Sequence, residues 1–209
     1  MALFFQQTIN PFTKLAVWRI EEPEPFFHLQ VPLRDGISHP HKRLQHLAGR
    51  YLLPYLFTDF PNEEIEIADT RKPFLPNEQY HFSISHCKDF AAAIVSAKER
   101  VGIDVEYVTN RVEKIKNKFL HADELRFVNS RPISLQLRLL TVLWCAKEAM
   151  FKWYGNGEVD FSDMLRIAPF ELQQQGLMDS YLVKEDYRQI LPLQYKFLDD
   201  LVMVWVHTS

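Results

Sequence analysis

At 209 residues, with 47% hydrophobic and 24% charged residues and a formal net charge of −3, the chain suits one large or two small soluble domains. Neither sign of charge is in global excess and no run approaches the ~18 apolar residues of a membrane span, so neither a nucleic-acid nor a membrane partner is expected. Two cysteines, Cys87 and Cys145, lack CxxC spacing, which argues against a disulfide framework or a structural zinc, and the opening MALFFQQTINPF lacks the basic n-region of a signal peptide, so a cytoplasmic protein with free thiols is expected.

Residues 14–20, KLAVWRI, read as a first strand. HKRLQHLAGRYLLPYLF, 41–57, is the first clear helix, with Leu44, Leu47 and Tyr51 recurring near the 3.6-residue period. Pro54 is expected to kink it or end its regular part, because proline lacks the N–H and its ring meets the carbonyl four residues back. Lys42, Arg43, His46 and Arg50 occupy the remaining surface; Arg43, His46 and Arg50, spaced three and four apart, share one face. EEIEIAD reads as a short strand, followed by the loop TRKPFLPN, broken by Pro73 and Pro76. HFSISHC, 81–87, alternates again. DFAAAIVSA and VGIDVEYV, separated by a turn at 98–100, read as a β-hairpin. A charged helical region follows, in which His121 or Asp123 is a candidate cap for HADELRFVNS. The second long helix spans 134–154 and has Gly155 as its C-cap. FSDMLRI, YLVKEDY, LQYKF and DLVMVWVHT then read as strands. Two long helices, each followed by strands, indicate an α+β protein of two comparable halves, 1–100 and 101–209.

Within VGIDVEYV, strand alternation puts Asp104 and Glu106 on one face beside Gly102, and Val101, Ile103, Val105 and Tyr107 on the other as core. Carboxylates about 6 Å apart repel by roughly 3 kcal/mol at an effective dielectric of ~20. Either that face is solvated or a divalent cation offsets the repulsion. In WCAKEAMFKWYG, Trp144, Glu148 and Lys152 fall four apart on one helix face. On a surface helix, Glu148 and Lys152 would be an ordinary ion pair worth about 0.2–0.5 kcal/mol. Trp144, Cys145, Met150 and Phe151 mark the helix as largely buried, where Lys147, Glu148 and Lys152 are costly unless paired or liganded. Three carboxylates from a strand and a helix make a hard oxygen site suited to Mg²⁺, which takes a few carboxylates together with substrate phosphates. Lys147 and Lys152 beside it make sense if an anionic substrate bridges them, and a diphosphate fits. Arg71 and Lys72 before Pro73, Ser85 and His86 at a strand end, and the Arg43, His46 and Arg50 face are consistent with such an anion; taken singly, each also reads as an ordinary polar group.

GIDVE, followed about 40 residues later by WCAKEAMFK, resembles the 4′-phosphopantetheinyl transferases, and most closely the larger monomeric type that activates surfactin and enterobactin synthetases. The RKP loop, FSISHC and KRLQHLAGR agree in order, so the likeness covers roughly residues 41–167. RKP replaces the commoner GKP, and Ser83 and Cys87 stand where Asn and Ser are usual. The resemblance implies two pseudosymmetric halves, each a long helix on a small, mostly antiparallel sheet, with the active site in the cleft between them. It implies coenzyme A as donor, a serine of an acyl or peptidyl carrier protein as acceptor, and adenosine 3′,5′-bisphosphate as leaving group. Carried over, Asp104, Glu106 and Glu148 hold Mg²⁺, Glu148 is the candidate base, and Lys152 contacts the transferred phosphate, supported by Lys147. Arg71, Lys72, Pro73, Ser85 and His86, with Arg43, His46 and Arg50, hold the nucleotide. The N-terminal half then carries the nucleotide loops and the C-terminal half the metal and catalytic motifs. A monomer is expected, and the basic segment with Arg111, Lys114, Lys116 and Lys118 is a natural surface for an acidic carrier. The rival expectations are a non-enzymatic coenzyme A- or carrier-binding protein of the same fold and a Mg²⁺-dependent nucleotide hydrolase.

Overall fold

The computed structural model describes residues 2–29, 31, 37–184 and 187–208. The chain divides into two compact units, one ending at Val101 and the other spanning Gly102–Thr208. Strands β1 (Leu3–Asn10) and β2 (Thr13–Arg19) open the first. Short helix α1 (Glu24–His28) and long helix α2 (Pro40–Leu56) follow, then the small pair β3 (Glu66–Ile67) and β4 (Pro73–Phe74), and strands β5 (His81–Cys87) and β6 (Phe90–Ser96). The second unit takes in most of β7 (Arg100–Tyr107), then α3 (Arg111–Phe119), α4 (Ala122–Asn129) and α5 (Ile133–Tyr154). It ends with β8 (Leu165–Ile167), β9 (Gln175–Lys184), β10 (Tyr187–Leu198) and β11 (Leu201–Thr208).

In the first unit the sheet order is β1-β2-β6-β5, with all neighbours antiparallel. Leu47, Leu52, Leu53 and Leu56 of α2 are buried in one cluster with Ala16, Trp18, Ala91, Ala93 and Val95 of the sheet. Gly49 lets the helix come close to β5: a Cβ there would lie 2.5 Å from Ile84 Cγ2. In the second unit the order is β7-β11-β10-β9-β8. Valines 202, 204 and 206 of β11 share a core with Leu139, Val142, Leu143, Ala146 and Met150 of α5. Each unit therefore repeats one plan, a long amphipathic helix laid on an antiparallel sheet, and the α+β class and paired architecture expected from the sequence are both present. Among the described residues no helix is long and apolar enough to cross a membrane.

Several local expectations are corrected. Strand β1 was not anticipated. Strands β6 and β7 do not form a hairpin, because they belong to different sheets. Pro54 lies inside α2, which runs on to Leu56. The carbonyl of Arg50, four residues before Pro54, instead accepts a hydrogen bond from Asn62 Nδ2 at 3.4 Å, which offsets the missing proline N–H. Tyr107 is only half-buried, whereas Val101, Ile103 and Val105 are core. Of the strand read across YLVKEDY, Glu185 and Asp186 lie outside the described residues. The α4 cap is His121: its Nδ1 accepts from Asp123 N, while Glu124 reaches back to the His121 N–H in a capping box.

Candidate functional site

Gly102 sets the geometry of the carboxylate region. A Cβ there would lie 2.2 Å from Ala149 O and 2.8 Å from Trp153 N, so α5 rests directly on the backbone of β7. Every second strand residue advances by ~6.6 Å and every fourth helix residue by ~6 Å, so two elements packed this closely keep their side chains matched over several steps. Lys152 Nζ donates to Asp104 Oδ1 at 2.6 Å, and Trp144 Nε1 donates to Glu106 Oε1 at 3.1 Å. Glu148 lies between these two contacts along the helix face. Lys152 is thus hydrogen-bonded to Asp104 on the strand, while Glu148 acts on it through its charge.

The electrostatics follow from burial. Asp104 is 4% exposed. The Glu148 carboxyl is pushed up to about 7, first by its own burial and then by the Asp104 charge; Lys152 opposes this and Glu106 adds to it. Burial alone would lower the Lys152 ammonium, but the charge and hydrogen bond of Asp104, with Glu148, hold it above its ordinary value. The wholly buried Cys145 thiol is pushed well up by desolvation and by Asp104 and Glu106, which leaves it protonated.

Among the described residues no group of three or more His, Cys, Asp or Glu side chains is gathered tightly enough to hold a metal ion. Asp104 and Glu106 instead accept from Lys152 and Trp144. The donor chemistry nonetheless fits a hard divalent cation. Glu148 is raised first by its own burial and then by the charges of Asp104 and Glu106, only partly opposed by Lys152, and a bound cation would offset each of these costs.

Lys147 does not belong to this face, which corrects the role expected for it. It is fully buried, and its ammonium donates to Phe119 O at 2.6 Å, Glu124 Oε2 at 2.6 Å and Phe161 O at 2.8 Å. Three donors thus meet three acceptors, which leaves none for a substrate. Glu124 was missed as its partner, although the H-x-x-E spacing of the capping box was legible. Beside Trp144 lies a cavity of about 360 Å³, lined by Ile115, Phe119, Val159 and Phe161 with the charged Lys118 and Asp160.

The basic groups expected to hold a nucleotide all belong to the first unit. Arg71 is exposed and adopts a left-handed conformation, φ 65°, in the turn before β4. Lys72 is lowered to about 8, chiefly by burial and secondarily by Arg100, a neighbour that the sequence reading did not single out. Pro73 begins β4. On β5, Ser85 is buried and His86 exposed. The Arg43, His46 and Arg50 set is not a uniform surface. Arg43 forks onto Glu24 Oε1 through Nε at 3.0 Å and Nη2 at 2.9 Å. His46 is half-buried, and Arg50 is only 7% exposed.

A model of the 4′-phosphopantetheinyl transferase superfamily matches residues 100–201. The chain is 32% identical to the 4′-phosphopantetheinyl transferase gsp of Aneurinibacillus migulanus over 113 residues, 53% of this chain and 46% of that protein. It is 28% identical to enterobactin synthase component D of Salmonella austin over 116 residues, 55% and 49% of the two chains. It is 31% identical to the 4′-phosphopantetheinyl transferase psf-1 of Bacillus pumilus over 117 residues, 53% and 50%. The chain thus spans about half the length of these curated relatives.

Proposed function

We propose, because residues 100–201 match the 4′-phosphopantetheinyl transferase superfamily, that the chain moves 4′-phosphopantetheine from coenzyme A to a serine of an acyl or peptidyl carrier protein. The observation that carries this reading is the coupled set of Asp104, Glu148 and Lys152 where α5 lies on β7. In the reaction the serine oxygen forms a bond to the phosphorus attached to pantetheine, and the bond from that phosphorus to adenosine 3′,5′-bisphosphate breaks. Asp104, Glu106 and Glu148 would hold Mg²⁺, which when bound supplies positive charge to a diphosphate.

The chain's own groups account for the rest. Glu148, on the helix face between Trp144 and Lys152, is the candidate acceptor of the serine proton, and a bound Mg²⁺ would favour its ionised, proton-accepting form. Lys152 is a quarter exposed and firmly protonated, so it can stabilise charge on the phosphate oxygens as the leaving group departs. Arg43, His46, Arg50, Arg71, Lys72, Pro73, Ser85 and His86 are the groups of the first unit proposed for the nucleotide; an arginine fork suits phosphate, and Arg43 must exchange Glu24 for it. We assign the nucleotide loops to 1–100 and the metal and catalytic motifs to 101–209. On α3, Arg111, Lys114 and Lys118 are exposed and offer a basic face to an acidic carrier. The protein acts as a monomer in the cytoplasm in this reading.

The test is mass spectrometry of a carrier protein incubated with the chain, coenzyme A and Mg²⁺. One added phosphopantetheine supports transfer. Release of free phosphopantetheine with no adduct means hydrolysis, and binding without either product means a non-enzymatic role. In the same assay Lys152→Ala is expected to lower kcat by about a hundredfold with little change in KM for coenzyme A. A loss confined to KM would mean that Lys152 binds substrate without acting in the transition state.

A further inference from the structure

We propose that Glu124 and Lys147 are a positioning pair for the transfer reaction, a role that rests on the transferase reading above. Neither side chain is more than 3% exposed. Glu124 Oε2 accepts from Lys147 Nζ at 2.6 Å and from His121 N at 2.9 Å, and Oε1 accepts from Ile167 N at 2.9 Å. Lys147 adds the carbonyls of Phe119 and Phe161. One ion pair therefore ties the end of α3, the start of α4, the loop before β8, and β8 itself to the middle of α5.

Both outputs of this junction reach the carboxylates. The rings of Phe119 and Phe161 pack on Trp144 with centroids 5.1 and 5.9 Å away. Trp144 in turn donates to Glu106. The second output is the helix: Lys147 precedes Glu148, so fixing its ammonium on three acceptors fixes the rotation of α5 and the direction in which Glu148 projects. A buried ion pair is weak support for stability, because a well-packed apolar pair of similar volume often serves as well. What an apolar pair cannot reproduce is the three-way tether on Phe119, Phe161 and Glu124. Neither residue touches the reacting atoms; both act through Trp144 and through the orientation of Glu148.

The test separates positioning from stability. Lys147→Met leaves the Glu124 carboxylate buried without its counter-charge and is expected to lower Tm. Adding Glu124→Gln removes that charge and is expected to restore most of the lost Tm. The double variant is nevertheless expected to transfer phosphopantetheine at least tenfold more slowly in kcat, with KM for coenzyme A within about twofold of the unaltered chain, since displacements of ~1 Å cost up to a hundredfold. Recovery of kcat together with Tm, or a loss confined to KM, overturns the proposal. Should the double variant not fold, Glu124→Asp, one methylene shorter with its charge kept, is read the same way, and an unchanged kcat there refutes it. An unaltered chain that fails to modify any carrier overturns the transferase reading instead, so the two failures are distinguishable.

Discussion

An Asp104→Asn protein is expected to lose phosphopantetheine transfer by roughly a thousandfold or more, which corresponds to about 4 kcal/mol of transition-state stabilisation. Asparagine keeps the side-chain shape and still offers an oxygen to Lys152, which now donates to Asp104 at 2.6 Å. It removes the charge, and with it one of three carboxylates proposed for Mg²⁺. The sign of the coupled effect on Glu148 makes the result interpretable. Asp104 is the charge that raises Glu148 most, after burial itself, so its loss makes Glu148 more ionised and not less. Lost activity cannot then be blamed on a protonated Glu148. The measurement is carrier modification against Mg²⁺ concentration, followed by mass spectrometry. Activity within tenfold of the unaltered chain, with the same Mg²⁺ dependence, would remove Asp104 from the site.

Which parts of this site were legible depended on whether the determining contacts were local. The alternation in β5, the period of α5 and the Gly155 cap, where φ is 72°, are written in neighbouring residues, and each emerged as expected. Asp104 and Glu106 fell on one strand face for the same reason. Strand β1 escaped because it is an edge strand whose side chains alternate only between exposed and half-buried, and because Phe4 beside Phe5 and Gln6 beside Gln7 break the apolar–polar alternation. The supposed hairpin failed because strand alternation says nothing about which sheet a strand joins. Ser96 Oγ accepts from the N–H groups of Lys98 and Glu99, and Glu99 is fastened to Asn10 and Thr13. The turn is therefore pinned to the first sheet, while the chain beyond it enters the second. Lys147 was misread through adjacency to Glu148. Consecutive helix residues point about 100° apart, so a neighbour in sequence faces a different surface. Its three acceptors come from Phe119, Glu124 and Phe161, none of which the helix motif contains.

The second large effect concerns pH. With Glu148 raised from its ordinary 4.5 to about 7, the folded chain keeps a proton between those values that the unfolded chain has released. Stability contributed by this group is therefore fully present below pH 4.5 and is lost as pH rises through 7, by up to about 3 kcal/mol less what solvent at its partly exposed edge screens. In the absence of divalent ions, denaturant midpoints are expected to fall between pH 5.5 and 8. Glu148→Gln is expected to flatten that slope and to be the more stable protein at pH 8. Divalent cations should act in the opposite sense. Because a carboxylate must be ionised to bind Mg²⁺, apparent affinity measured by calorimetry is expected to fall about tenfold per pH unit below 7, with proton release seen as a dependence of binding heat on the buffer. Mg²⁺ is accordingly expected to recover at pH 8 the stability that the repelling carboxylates remove, as ligands that bind only the folded state do. A pH-independent Mg²⁺ affinity across this range, with no buffer dependence, would mean that Glu148 does not ligate the ion. The general base would then need to be sought elsewhere on α5 or β7.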